Sequence, residues 1–231
     1  MKNAPLTSYV ATMLRGGSGC RAQNPRQDLP SAEDLELYEF EGCPFCRKVR
    51  EILTFLDLEV TVYPCPKGGE RYRPKVVAAG GKAQFPYLVD RRRDVGLYES
   101  DAIIEHLAHN YGDGRAPLAL RLGPLTTLTA SFAGLVRGAA GTFARPARSP
   151  ERPLVLYAFE ACVESRPVRE ALCVFEIPYV LRNVGIGSRR RAELTSKSGG
   201  RPGPLLWDPN SEETKVGAAS ILAHLRRAYA V

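Results

Sequence analysis

The sequence predicts an α/β protein made of two consecutive units, each a four-stranded mixed β-sheet flanked by helices. Three observations carry this. The chain repeats itself: Leu37-Tyr38-Glu39-Phe40-Glu41-Gly42-Cys43 recurs as Leu156-Tyr157-Ala158-Phe159-Glu160-Ala161-Cys162, and Val49-Arg50-Glu51 as Val168-Arg169-Glu170. Farther on, Phe85-Pro86-Tyr87-Leu88-Val89-Asp90 answers to Gly203-Pro204-Leu205-Leu206-Trp207-Asp208, at an offset that has moved only from 119 to 118. A fixed period of this length signals a duplicated structural unit. Within each copy the periodicity runs strand, helix, strand, helix, strand, strand, helix. Finally, 231 residues suffice for two small cores or one large one.

The elements follow in order. Residues 1–34 hold the apolar stretch Leu6–Leu14, which echoes at residues 128–141, offset by 122. The echo favours a short helix opening each unit over a targeting peptide, and Thr7, Ser8 and Thr12 weaken any signal core. Neither copy approaches the ~20 apolar residues of a membrane span. The first unit, residues 35–112, opens with a strand at Leu35–Phe40. A helix with Val49, Ile52, Leu53 and Leu56 inward follows, then a strand at Leu58–Tyr63. Pro86–Asp90, the turn Arg91–Asp94 and Val95–Tyr98 read as a hairpin. A closing helix runs from about Ser100 to Tyr111, with Ile103, Ile104 and Leu107 inward. Residues 113–152, rich in Gly, Pro and Ala, are a linker with a short helix, and residues 153–231 form the second unit.

Composition narrows the function class. Apolar and charged contents of 44% and 25% are those of a globular protein. Residues 117–231 carry 16 basic and 9 acidic side chains, against 16 of each before them, so the whole net charge of +7 lies in the second half. Arg189-Arg190-Arg191 and Arg226-Arg227 there suit a solvated face, or docking to an acidic protein or anionic membrane surface. Nucleic acid is not expected, since no reader motif accompanies the charge. Six cysteines are too few for a disulfide scaffold. One close pair among scattered singles suits a reducing compartment, cytoplasmic or, in a eukaryote, the plastid stroma. His106, His109 and His224 stand away from the pair in sequence, so no metal site is expected.

Gly42-Cys43-Pro44-Phe45-Cys46 follows a strand and opens a helix, the context that gives a C-x-x-C its force. Unsatisfied N–H groups at a helix start stabilise an anion before them, which lowers the pKa expected of Cys43. Arg47 and Lys48 add positive charge within a turn, and Pro44 suits the first helical position. Cys43 is thus the attacking thiol and Cys46 the resolving one. Half of a metal site is the competing reading, but no second pair stands at ligand spacing. Cys65 ends the second strand on the side of the pair, where an inert cysteine is the favoured reading and a third redox thiol the alternative; Cys20 and Cys173 are expected to be non-catalytic.

Taken with Gln84-Phe85-Pro86 and Tyr98-Glu99-Ser100, the motif Cys43-Pro44-Phe45-Cys46 resembles glutaredoxins and the N-terminal domain of glutathione transferases. The doubled chain is similar to tandem glutathione-transferase N-terminal-domain proteins. The resemblance implies two thioredoxin-like domains and glutathione as co-substrate. It also implies a thiol–disulfide oxidoreductase that reduces protein or glutathione-mixed disulfides. Pro86 would be a cis-proline facing Cys43, and the Phe85 backbone would pair with the cysteinyl part of glutathione. Glu99 and Ser100 would hold the γ-glutamyl end, with Pro44, Phe45 and Arg47 alongside. A transferase or isomerase, a non-catalytic binding module and a bridged iron–sulfur cluster remain alternatives.

In the second unit Cys162 matches Cys43, but Ser165 replaces Cys46, Val163 replaces Pro44, and Gly217-Ala218 replaces Glu99-Ser100. Pro167 is incompatible with a helix that begins at Val163. A helix capped by Ser165 removes the conflict and is expected to carry its N–H groups away from Cys162, leaving a weak site.

Overall fold

A computed structural model describes residues 4–13, 16–23, 28–121 and 140–231. The first unit comprises β1 (Leu35–Glu39), α2 (Pro44–Phe55), β2 (Glu59–Pro64), α3 (Arg73–Gly80), β3 (Tyr87–Asp90), β4 (Val95–Leu97) and α4 (Ser100–Tyr111). It is preceded by α1 (Ala4–Met13) and followed by α5 (Leu118–Arg121). The second unit repeats the order with β5 (Leu154–Ala158), α6 (Ser165–Val174), β6 (Tyr179–Asn183), α7 (Arg191–Ser198), β7 (Leu205–Asp208), β8 (Glu213–Val216) and α8 (Ala218–Tyr229). The upstream echo at 128–141 lies almost wholly outside the described residues.

The two sheets are one. β2 pairs antiparallel with β6, Val60 opposite Leu181 and Val62 opposite Tyr179, giving an eight-stranded sheet in the order β4-β3-β1-β2-β6-β5-β7-β8. Pairing at this seam explains why Val60, Thr61 and Val62 are all buried, where a free edge strand would expose one face and its unpaired backbone groups. On one face α2, α4, α6 and α8 cover a single apolar core running through both units, from Leu37, Ile52 and Leu107 to Leu156, Leu172 and Leu225. On the other face each unit keeps its own cluster. A tyrosine group (Tyr38, Tyr63, Tyr72, Tyr87, Tyr98) lies with Cys65 and Val76 of α3, and Val155, Tyr157 and Leu205 lie with Leu194 of α7.

The halves also exchange contacts reciprocally. Asp57 accepts a hydrogen bond from the Arg189 N–H (3.3 Å), and its counterpart Glu176 accepts one from the Glu70 N–H (3.3 Å). Arg169 pairs with Glu41 (3.0 Å), and Arg50 with the counterpart acid Glu160 (2.8 Å). Gly19 and Gly141 take φ of +79° and +76°, and a side chain on either would collide with the Cβ of Glu160 or Glu41, at 2.9 and 2.8 Å. Residues 16–22 therefore strap the second unit while residues 140–144 strap the first. Bridges Arg21–Ile186 and Lys67–Phe143 mark the two straps at the 122-residue offset of the upstream repeat. Each strap crosses from the segment ahead of one unit to the partner unit.

Much of the basic run is used inside the chain. Arg190 pairs with Glu59 (2.8 Å) and Asp57 (3.5 Å) across the seam, and Arg227 with Glu213 (3.0 Å). Arg190 is thereby drawn into the seam, while Arg189, Arg191, Arg226 and Arg227 remain exposed. Among the described residues no helix is long and apolar enough to cross a membrane.

Candidate active site

Cys43 leaves β1 through Glu41-Gly42 and becomes the N-cap of α2, with φ −83° and ψ 123° and Pro44 as the first helical residue. Its sulfur accepts the N–H of Cys46 at 3.3 Å. The thiol is held below its usual range, first by hydrogen bonding from the Cys46 side chain and then by the N–H groups of Cys46 and Phe45, against burial and the charge of Glu39. Cys46 is fully buried, and burial pushes its thiol well up. One sulfur is disposed to be an anion and its neighbour to keep its proton.

The Phe85–Pro86 peptide is cis, and the Phe85 carbonyl lies 4.0 Å from the Cys43 sulfur. Gln84 continues the same loop outward and donates from its amide nitrogen to the Glu99 carboxylate. Glu99 ends the β4 turn at φ 66° and ψ 118°, a conformation that strains any residue but glycine, and Ser100 then opens α4 as a buried residue. The loop thus links Cys43 to the start of α4, with Phe45 half exposed at the rim. Cys43, Phe85, Pro86, Glu99 and Ser100 lie along one continuous stretch.

Arg47 does not join them. It is buried, and its Nε faces Glu51 (3.3 Å) and Glu160 (3.4 Å) between the units. Lys48 is fully buried and pairs with Asp101 of α4. The helix turns both cations away from the sulfur, so hydrogen bonds rather than side-chain charge stabilise the thiolate. The expected placement of Arg47 beside bound glutathione is corrected accordingly.

Three further groups border the site. Glu39 is buried at an inward position of β1, where the second unit has Ala158, and burial pushes its carboxyl up to about 7 despite Arg50 alongside. Its signal was legible as an acid on the apolar phase of a strand. Arg73 stacks over the Phe85 ring at 4.5 Å while its guanidinium donates to the Cys65 carbonyl (2.8 Å). Thr142 of the strap abuts Gly42, where a Cβ would come within 2.2 Å of the threonine oxygen. A strap contact of this range has no local sequence signature. Cys65 is buried at the end of β2, and burial drives its thiol far up, as expected of an inert cysteine.

In the second unit α6 begins at Ser165, two residues later than α2 by the repeat, and Glu164 rather than Ser165 is its N-cap. The Ser165 N–H nevertheless reaches the Cys162 sulfur at 3.3 Å, as in the first unit. The turn before α6 keeps the donor in place, which corrects the expectation that it would move away. The Gly203–Pro204 peptide is not among the cis bonds, and Gly217 occupies the strained position of Glu99 at φ 85°.

A family model for the glutathione S-transferase N-terminal domain matches residues 37–116 and again 156–230. No curated protein matches the chain. The two matched segments each span one strand-to-closing-helix unit and together cover more than half of the sequence, so the chain belongs to the glutathione S-transferase N-terminal domain family, present here as two thioredoxin-like units in tandem.

Proposed function

We propose that the first unit is a glutathione-linked thiol–disulfide oxidoreductase acting through Cys43 and Cys46. The observation that carries this reading is the Cys46 N–H to Cys43 sulfur bond of 3.3 Å at the mouth of α2, opposite the cis peptide of Phe85–Pro86. The Cys43 thiolate attacks one sulfur of a protein or glutathione-mixed disulfide. The S–S bond breaks and the departing sulfur takes up a proton. The mixed disulfide on Cys43 is then attacked by Cys46, which loses its proton, closes Cys43–Cys46 and expels the captured thiol; two glutathiones reopen that disulfide. Where the captured group is glutathione, a second glutathione thiolate can attack instead, carrying it off as glutathione disulfide and restoring the Cys43 thiolate. Glutathione would lie along Phe85 and Pro86, its γ-glutamyl carboxylate at the start of α4 by Ser100 and its amino group at Glu99.

A transferase reading has less support. In that family the electrophile pocket belongs to an all-helical domain after the first unit, and here the chain continues into a second thioredoxin-like unit. The test is reduction of a glutathione-mixed disulfide at saturating glutathione. Cys43→Ser is expected to abolish turnover, Cys46→Ser to retain part of it through the glutathione route, and Cys162→Ser to leave it near wild type. Full activity in Cys43→Ser would overturn the proposal.

A further inference from the structure

The second unit has lost its resolving cysteine at Ser165 but has a different sulfur nearby. The strap of residues 16–22 runs across its mouth. The Ala161 N–H donates to the Gly19 carbonyl at 3.2 Å, so that the next residues on each chain, Cys20 and Cys162, occupy neighbouring positions. Backbone bonds to Ile186 fix the strap on its other side: the Ile186 N–H donates to the Cys20 carbonyl (2.8 Å) and the Ala22 N–H to the Ile186 carbonyl (2.9 Å). Cys20 and Cys162 are both partly exposed, and both line one cavity of about 540 Å³ together with Ser165, Tyr9, Arg201 and Pro204. The Ser165 hydroxyl, in the place of Cys46, is fully buried and has no hydrogen-bond partner. At the same place in the first unit's strap stands Thr142, which has no redox chemistry.

We propose that Cys20 and Cys162 form a second dithiol centre, in which the strap cysteine supplies the resolving sulfur that Ser165 cannot. The Ser165 N–H on the Cys162 sulfur makes Cys162 the attacking group, by the same geometry as Cys43. Burial raises the Cys20 thiol, Arg21 lowers it and the nearby Cys162 raises it again, as suits a thiol that reacts second. The substrate class is a small disulfide that fits the cavity, such as glutathione disulfide. Cys162 gives up its proton and attacks one of its sulfurs, the S–S bond breaks, and one glutathione leaves and is protonated. Cys20 then loses its proton and attacks the Cys162 sulfur, and the second glutathione leaves. Two protein thiols are oxidised by two electrons, one disulfide is reduced to two thiols, and the protons pass from the protein to the glutathiones. The product ties the strap across the second cavity.

The experiment uses the full chain carrying Cys43→Ser and Cys46→Ser, so the outcome does not depend on the first site. The protein is incubated with glutathione disulfide, quenched with an alkylating agent, digested without reductant and mapped by mass spectrometry. The expected product is a single linked peptide pair containing Cys20 and Cys162. Adding Cys20→Ser should abolish the link and leave a stable glutathione adduct on Cys162. The wild-type chain, mapped in parallel, should show the same link whether or not the double variant folds. A persistent adduct on Cys162 with Cys20 present, both thiols free for alkylation, or a link from Cys162 to another cysteine would each overturn the proposal.

Discussion

At Cys43 two influences pull the acidity of one sulfur in opposite directions. Burial and the carboxylate of Glu39 favour the thiol, while the donors at the start of α2 favour the thiolate, and the donors win. Glu39 is the adjustable part. Burial raises it to about 7, so it gains its charge as pH passes through neutrality, and that charge raises both Cys43 and Cys46. Glu39→Gln removes the charge without removing the bulk. The sign follows: both thiols should ionise at lower pH in the variant, and the alkylation rate of Cys43 plotted against pH should shift to lower pH. A shift upward, or none, would remove Glu39 from the electrostatics of the site. Sequence showed the sulfurs, the proline and the Glu99-Ser100 pair because each sits at a fixed distance from a strand end or a helix start. It misplaced Arg47 because the side a helix residue faces depends on what packs against it, and that neighbour is Glu160, over a hundred residues away.

Between α2 and α6 the elements meet through buried charge rather than apolar surface alone. Glu160 lies among Arg169, Arg50, Arg47 and Arg166. Burial by itself would raise its carboxyl, but those arginines, Arg169 first, hold it far below the usual carboxylate range. A carboxyl lower in the folded than in the unfolded chain adds stability that is fully present above its unfolded value, near 4.5, and is lost as pH falls below it. Arg169→Met should break pairs with both Glu41 and Glu160 and cost about 3–5 kcal/mol, since it strands charge in the interior. Denaturant unfolding at neutral pH measures the loss. Glu160→Gln should flatten the fall in wild-type stability between about pH 5 and pH 3. Equal pH slopes in variant and wild type would mean that the network is not what acid disrupts. The partners were visible as repeated letters, Glu41 with Glu160 and Arg50 with Arg169, but not that each arginine reaches the acid of the other copy as well as that of its own.

For the whole molecule the seam between β2 and β6 decides whether the duplication yields two bodies or one. The order of elements within each half was readable from periodicity, because strands and helices are set by near neighbours. The joining of the halves was not, because Glu59–Pro64 reads equally well as an edge strand or a central one, and only its buried Thr61 and its partner Val180 distinguish them. With one sheet, one shared core on the face covered by α2 and α6, and crossed straps, neither half can open without exposing the other's apolar surface. Unfolding should therefore be a single cooperative event. Two built-in reporters lie in different halves. Trp207, the only tryptophan, is on β7 of the second unit, and Cys65, fully buried, directly follows β2 of the first. Across a denaturant series, Trp207 fluorescence and the labelling of Cys65 mapped by mass should change with one midpoint. If Trp207 changed while Cys65 stayed protected, the halves would be separately stable bodies and the seam a contact rather than a continuation of the sheet. Coincident curves that split on Thr61→Pro, which removes a backbone donor and fixes the φ of a seam residue, would identify that pairing as the coupling.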